Sequence, residues 1–181
     1  MHRRFVLVSG LPASGKSRLA ARLAGSLHLP LIDKDDILDR LFASRGVGDD
    51  IWRRTLSRES DAILQAEAEA SDGAILVSFW RLPGMRADSG TPIEWLGNLS
   101  NALIHVQCVC DVATAASRFT ARSRHPGHLD QERTRAEIID SLQEIADLGP
   151  LGLGTRIDVD TSGAVDLEPV VAEINRAWTR T

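Results

Sequence analysis

The sequence predicts a three-layer α/β fold in which a five-stranded parallel sheet is flanked by helices. Three observations carry that prediction. Apolar, strand-like runs alternate with stretches of helical periodicity along the whole 181-residue chain, as when helical crossovers join parallel strands. The first run, Phe5 to Val8, is unbroken, as in a strand buried on both faces. Between that run and the first helical stretch lies a glycine-rich loop of fixed spacing, "GLPASGKS", from Gly10 to Ser17. The length suits one domain, taken as residues 1–181 with a lid over about 118–132. An apolar fraction of 43% argues against disorder, and a net charge of −4 against overall attraction to nucleic acid or anionic membrane. There is no run of 18 apolar residues. The N-terminus "MHRRFVLVSG" does not read as a signal peptide, because its short apolar run leads straight into the loop.

The first strand is expected over Phe5 to Ser9, and the helix after the loop repeats Leu19, Ala20, Leu23, Ala24 and Leu27 at helical spacing. Strand, loop and helix in that order are the context that G-x-x-x-x-G-K-[ST] needs to hold a nucleoside triphosphate. Its glycines let successive N–H groups point into one concavity, and the helix adds the positive end of its dipole. Gly10, Leu11, Pro12, Ala13, Ser14, Gly15, Lys16, Ser17 and Arg18 are therefore assigned to the nucleotide. Lys16 is expected to reach the β- and γ-phosphates, and the Ser17 hydroxyl to ligate Mg²⁺.

In open parallel sheets the ligand lies beyond the carboxyl ends of the strands, so the residues just after each strand are the site candidates. The second strand, Leu29 to Asp33, runs into "IDKDDIL" and a short helix from Asp35 to Phe42. Asp33, Asp35 and Asp36 suit helix capping. Beside a phosphate loop they also suit chemistry: Asp35 is the candidate base for an acceptor hydroxyl, and Asp33 a candidate acceptor contact. A longer helix, Asp49 to Ser71, is expected to bury Ile51, Trp52, Leu56, Ile63 and Leu64.

The third strand, Ala74 to Phe79, ends in "SFWRLPGMR". Many phosphate-loop proteins carry an acid there that holds Mg²⁺ through water. This chain has Ser78 instead, and no acid until Asp88. Either Ser78 contacts a metal-bound water or an Asp of "IDKDD" takes the acid's place. Trp80 and Arg81 stand at the mouth as candidate acceptor contacts. Trp52, Trp80 and Trp95 suit either pocket or core.

The fourth strand, Ala102 to Cys110, holds Cys108 and Cys110, which read as buried small hydrophobes in a reducing cytoplasm. "DVATAASRFTARS" then forms a helix. Arg118, Arg122 and Arg124 lie on it or just after it, with Arg118 and Arg122 on one face. Arginine forks suit phosphate oxygens, so Arg122 and Arg124 are assigned to the transferring phosphate. "HPGH" has the content of a mobile lid. His125 and His128 lack a third ligand at convincing spacing, and no zinc site is expected. A helix from Gln131 to Leu148, an edge strand from Thr155 to Asp160 and a last helix bearing Leu167, Val170, Val171, Ile174 and Trp178 complete the chain.

"GLPASGKS", "LIDKDDIL" and "CDVATAASRFTARSRHPGH" together resemble the P-loop kinase group that contains chloramphenicol phosphotransferase, polynucleotide kinase and zeta-toxin-like kinases. The resemblance implies a P-loop NTPase/kinase fold with a short arginine-bearing lid and ATP or GTP as donor. It implies Asp35 as general base, and Arg118, Arg122 and Arg124 as lid arginines. The loop "DTSGA", with Thr161 and Ser162, would support the nucleotide base. There are two departures: the third-strand acid is missing, and Leu38 replaces the arginine that commonly follows the base by three residues. No extended basic and aromatic track for nucleic acid is visible. The expected acceptor is a hydroxyl of a small molecule, such as an antibiotic or related metabolite. Two other readings remain open at this level. One is a kinase of a polynucleotide end, nucleotide or nucleotide-sugar, with Arg53, Arg54 and Arg58 as its patch. The other is a non-catalytic nucleotide-binding regulator.

Overall fold

Strand β1 (Arg4–Gly10) occupies the centre of the sheet because both of its faces are apolar. Phe5 and Leu7 point into one core, Val6 and Val8 into the other, and all four are fully buried. The computed structural model describes residues 3–100, 102–130 and 133–180. Helix α1 (Lys16–Leu27) follows the loop. Next come β2 (Leu31–Asp33), α2 (Lys34–Arg45), α3 (Asp50–Ala70) and β3 (Gly73–Val77). β4 (Ile104–Val109), α4 (Val112–Ala121), α5 (Arg135–Asp147), β5 (Thr155–Asp160) and α6 (Leu167–Thr179) complete the order. The sheet reads β2-β3-β1-β4-β5, and all its pairings are parallel. β1 therefore lies where the strand order reverses, the usual ligand position in such folds.

Two cores sandwich the sheet. Phe5, Leu7 and Leu76 pack with α2 and α3 through Leu41, Phe42, Leu56 and Leu64. Val6, Val8 and Val106 pack with α1 and α6 through Leu19, Leu23 and Ile174. One polar cluster interrupts the interior: Ser9 Oγ lies 2.5 Å from His105 Nε2 and donates to Gln107 Oε1 at 2.6 Å. Burial, helped by the charge of Arg156, pushes the His105 imidazole down to about 4, so this histidine is neutral at physiological pH.

The helices start where their caps dictate. Asp33, Asp49, Asp111, Thr134 and Asp166 each accept a backbone N–H at the start of α2 to α6, and Glu137 completes a capping box on α5. Helix α1 begins at Gly15 with no side-chain cap, which leaves its first N–H groups for a ligand.

Several sequence expectations shift. β3 ends at Val77 rather than Phe79, because the chain turns away to pair Trp80 with Thr91. Ile51 is 70% exposed, whereas Leu56 and Leu64 are buried as expected and are joined by Ser60 and Ala68 at four-residue spacing. α2 extends to Arg45, longer than expected. Cys108 is buried as expected, whereas Cys110 is only half-buried beyond the end of β4; both are free thiols. Gln131, the expected start of the α5 region, lies outside the described residues, as does the end of the expected lid. β5 buries only Ile157 and Val159, as befits an edge. Among the described residues, no helix is long and apolar enough to cross a membrane.

Candidate active site

The phosphate loop is built by backbone demands. Gly10 has φ 139°, and a Cβ there would lie 2.7 Å from the Cys108 carbonyl oxygen of the adjacent strand, so only glycine fits. The loop then curls, with Ser14 N–H donating to the Leu11 carbonyl at 3.1 Å and Ala13 at φ 64°. Lys16 Nζ lies across the curl and donates to the carbonyls of Leu11 at 2.8 Å and Gly10 at 3.1 Å. Desolvation pushes its ammonium down, opposed by the nearby Asp35 and Asp33 carboxylates.

Asp33 ends β2 and touches the loop's serine. Ser17 Oγ donates to Asp33 Oδ2 at 2.6 Å, and Asp33 Oδ1 accepts the Asp35 N–H at 2.9 Å. One carboxylate oxygen thus caps α2, as the sequence suggests, while the other meets the loop. Burial pushes the Asp33 carboxyl up to about 6, against the lowering effect of both hydrogen bonds. Ser78 lines the cleft as well, with its hydroxyl engaged by Thr91. It lies 2.6 Å from Thr91 Oγ1, which donates to Asp61 Oδ1 at 2.7 Å, and Asp61 pairs with Lys34 at 2.6 Å. The carboxylate beside Ser17 therefore comes from β2, not from the end of β3.

Asp35 is half-exposed and pairs with Arg124, Nη2 to Oδ2 at 2.6 Å. Arg122 and Arg124 converge on Asp130, and the Arg122 guanidinium lies 4.0 Å from the Phe119 ring centroid. Burial and the charge of Arg124 push the Arg122 guanidinium down, with Asp130 opposing.

The segment that the sequence marks as a mobile lid is docked on α2. The His125 ring stacks on Phe42 at 5.3 Å between centroids. His128 Nε2 lies 2.7 Å from Asp39 Oδ1, and Arg53 Nε donates to the His128 carbonyl at 3.1 Å. Gly127 sits so close to Phe42 that a Cβ would lie 2.6 Å from the ring. The two histidines of H-x-x-H thus face α2 as packing and hydrogen-bonding groups.

Arg118 takes a different place from the other two arginines. Its Nη1 donates to the Thr161 carbonyl at 2.8 Å and its Nη2 to the Ser162 carbonyl at 2.6 Å, stapling the loop after β5.

A cleft of about 810 Å³ joins these parts. Lys16, Ser17, Arg18, Asp33, Asp35, Arg81, Arg118, Arg122 and Arg124 all line it. Trp80 and Trp52 do not, which corrects their assignment to the acceptor. Trp80 is 1% exposed, donates its Nε1–H to the Val8 carbonyl at 3.0 Å and packs against Trp95. Its indole follows the turn after Val77 into the core, where it borders a separate cavity of about 230 Å³ with Ser9, Gly10 and Leu11. Trp52 packs on the same core and donates to the Gly46 carbonyl at 3.1 Å. The cleft gains residues that the site assignment lacked: Lys34, Ser57, Asp61 and Asp130. The stripe Arg53, Ser57, Asp61 at four-residue spacing on α3 was the available signal for part of this set.

A phosphate loop on the central strand of a five-stranded parallel sheet, opening into a cationic cleft, defines a P-loop α/β fold. A family model described as an AAA domain matches residues 5–146. The chain belongs to that family. It is 38% identical over 78 residues to a shikimate kinase of Corynebacterium jeikeium strain K411, a match that spans 41% of this chain and 40% of that relative. Among solved structures, a candidate kinase from Chloroflexus aurantiacus superposes with a TM-score of 0.79 at 24% identity, covering 98% of this chain and 99% of that one. A shikimate kinase from Bacteroides thetaiotaomicron (TM-score 0.57, 16% identity, 98% and 97% coverage) has a similar fold. So does a gluconokinase from Sinorhizobium meliloti 1021 (0.56, 17%, 99% and 93%). These structural likenesses are likenesses of fold.

Proposed function

We propose that the protein transfers the γ-phosphoryl group of ATP or GTP to a hydroxyl of a small molecule, with Mg²⁺ as cofactor. The observation that carries this reading is the placement of Asp33 and Asp35. Two residues apart at one strand end, one touches the loop's Ser17 and the other faces the same cleft as Lys16 and the lid arginines.

Ser17 and Asp33 fit a magnesium ion. Both offer hard oxygen donors, and the Asp33 carboxylate is buried with two neutral donors and no cation bonded to it. When bound, the ion would neutralise charge on the donor's phosphates. The chain's own residues supply the rest. The N–H groups at the start of α1 and the Lys16 ammonium bind the donor phosphates, and Arg122 and Arg124 meet charge developing on the transferring group. Asp35 orients the acceptor hydroxyl and accepts its proton. Arg118, Thr161 and Ser162 shape the seat of the nucleotide base.

The cleft as a whole is cationic, which suits the donor phosphates and also admits an anionic small molecule as acceptor. Among the described cleft-lining residues, eleven Lys and Arg face six Asp, although the chain as a whole carries −4. Arg58 has no carboxylate partner among the described residues, and Leu38 supplies an apolar wall where an arginine was absent. Shikimate and gluconate, the compounds named in the relatives, are both hydroxylated carboxylates. Phosphorylation of an antibiotic, or of a nucleotide-sugar, belongs to the same chemistry.

The test is incubation with γ-labelled ATP or GTP and a panel of hydroxyl compounds, neutral and anionic, with hydrolysis controls. Asp35→Asn should lower transfer by roughly 10²- to 10⁴-fold while leaving nucleotide affinity nearly unchanged. Near-normal turnover in that variant would remove Asp35 from the mechanism. Nucleotide binding with no transfer to any acceptor would favour the regulatory reading.

A further inference from the structure

Four charged side chains above the phosphate loop form a continuous chain. Asp130 Oδ2 accepts from Arg122 Nη2 at 2.8 Å and from Arg124 Nη1 at 3.3 Å. The other terminal nitrogen of Arg124 reaches Asp35 Oδ2 at 2.6 Å. Arg122 is further held by the Phe119 ring, and its Nε is buried without a partner. Two guanidinium groups brought this close repel each other, and Asp130 is the carboxylate that both share. It holds no place in the transfer chemistry described above. In this arrangement both lid arginines are neutralised by carboxylates, and the candidate base is paired with a guanidinium.

We infer that Asp130 is a positioning residue that keeps the lid arginines off the donor phosphates until an acceptor arrives, so that acceptor binding triggers activation of the donor. The inference rests on the phosphoryl-transfer reading. An acceptor hydroxyl that hydrogen-bonds Asp35 Oδ2 takes the place of Arg124 Nη2. Arg124 is then left with its longer contact to Asp130, and the γ-phosphate is a partner of higher charge and suitable fork geometry. Transfer follows with atoms in balance. The acceptor oxygen bonds to the γ-phosphorus as its bond to the bridging oxygen breaks, the hydroxyl proton passes to Asp35, and the nucleoside diphosphate leaves with the electron pair. Water at Asp35 brings no remote binding energy to displace the ion pair, so hydrolysis to diphosphate, phosphate and a proton stays slow. The device separates transfer from wasteful hydrolysis.

The test uses the full chain with MgATP and no acceptor. Asp130→Asn keeps the shape and removes the charge. Hydrolysis should rise about 5-fold or more, and MgATP should bind more tightly. A gain of that kind is not what damage to the fold produces. Asp130→Ser, smaller and also uncharged, gives the same readout if the amide is not accommodated, and Asp130→Glu should restore slow hydrolysis. Acceptor-free hydrolysis at or below the wild-type rate in both uncharged variants overturns the inference while leaving the phosphoryl-transfer reading intact. Wild-type protein that binds no MgATP overturns both.

Discussion

Replacing Asp33 by asparagine should make the protein more stable at neutral pH and less competent with Mg²⁺. Burial pushes the Asp33 carboxyl up to about 6, from the ordinary aspartate value of 3.8. Between about pH 4 and 6 the folded state therefore binds a proton that the unfolded chain has released. Stability contributed by this group falls as pH rises through that window, and the full penalty is present above it. A rise of that size corresponds to roughly 3 kcal/mol at pH 7.5. Asparagine resembles the protonated acid: its Oδ1 can still accept the Asp35 N–H, and its Nδ2–H can donate to Ser17. The variant should thus gain about 2–3 kcal/mol at pH 7.5, a rise of roughly 4–10 °C in Tm for a chain of this size. Near pH 4 the gain should vanish. Urea unfolding of both proteins at pH 4 and 7.5, followed by tryptophan fluorescence, measures the difference directly. A stability difference that is equal at the two pH values, or a variant less stable at pH 7.5, would refute the electrostatic account of Asp33. In the wild type, millimolar MgCl₂ with nucleotide should shrink the gap, because a bound cation favours the ionised carboxylate.

Gly127→Ala should cost about 1–3 kcal/mol, because the new Cβ would meet the buried Phe42 ring at 2.6 Å. Thermal unfolding checks this, and unchanged stability would mean that the lid segment does not rest on α2 in solution. Trp80→Phe removes the donor to the buried Val8 carbonyl and should cost about 1–3 kcal/mol. The KM for the acceptor should stay within twofold of wild type. A raised KM at unchanged Tm would return Trp80 to the acceptor pocket.

The sheet and the loop on its central strand were legible because their signals are local. The unbroken run from Phe5 to Val8 requires burial on both faces, and the loop spacing leaves little freedom for Lys16 and Ser17. Asp33 was half legible. A residue suited to an N-cap gave no indication that its second oxygen would reach across to Ser17, 16 residues earlier. What stayed hidden depends on contacts between distant segments. Arg118 meets carbonyls 43 and 44 residues away, and its neighbours in sequence gave it the same role as Arg122. Ser78 was read as a possible metal contact, but Thr91 and Asp61 claim it through a network of three chain segments. Trp80 followed a turn that no periodicity announces. Ile51 fell on the expected stripe of α3 but lies in its first turn, where no core reaches it.

Asp35, Asp39 and Phe42 recur at four- and three-residue spacing along one side of α2. The first is paired with Arg124, the second with His128, and the third supports His125 and Gly127. A single rod therefore carries both the candidate proton acceptor and the berth of the arginine segment. For protein engineering, residues 33–45 and 122–130 form one cassette. A lid grafted from a relative without its matching α2 would arrive with no mooring, and a remodelled α2 would displace the arginines with it. Recombination that respects this pairing should conserve coupling between donor and acceptor, whereas crossovers between the two segments should lose it.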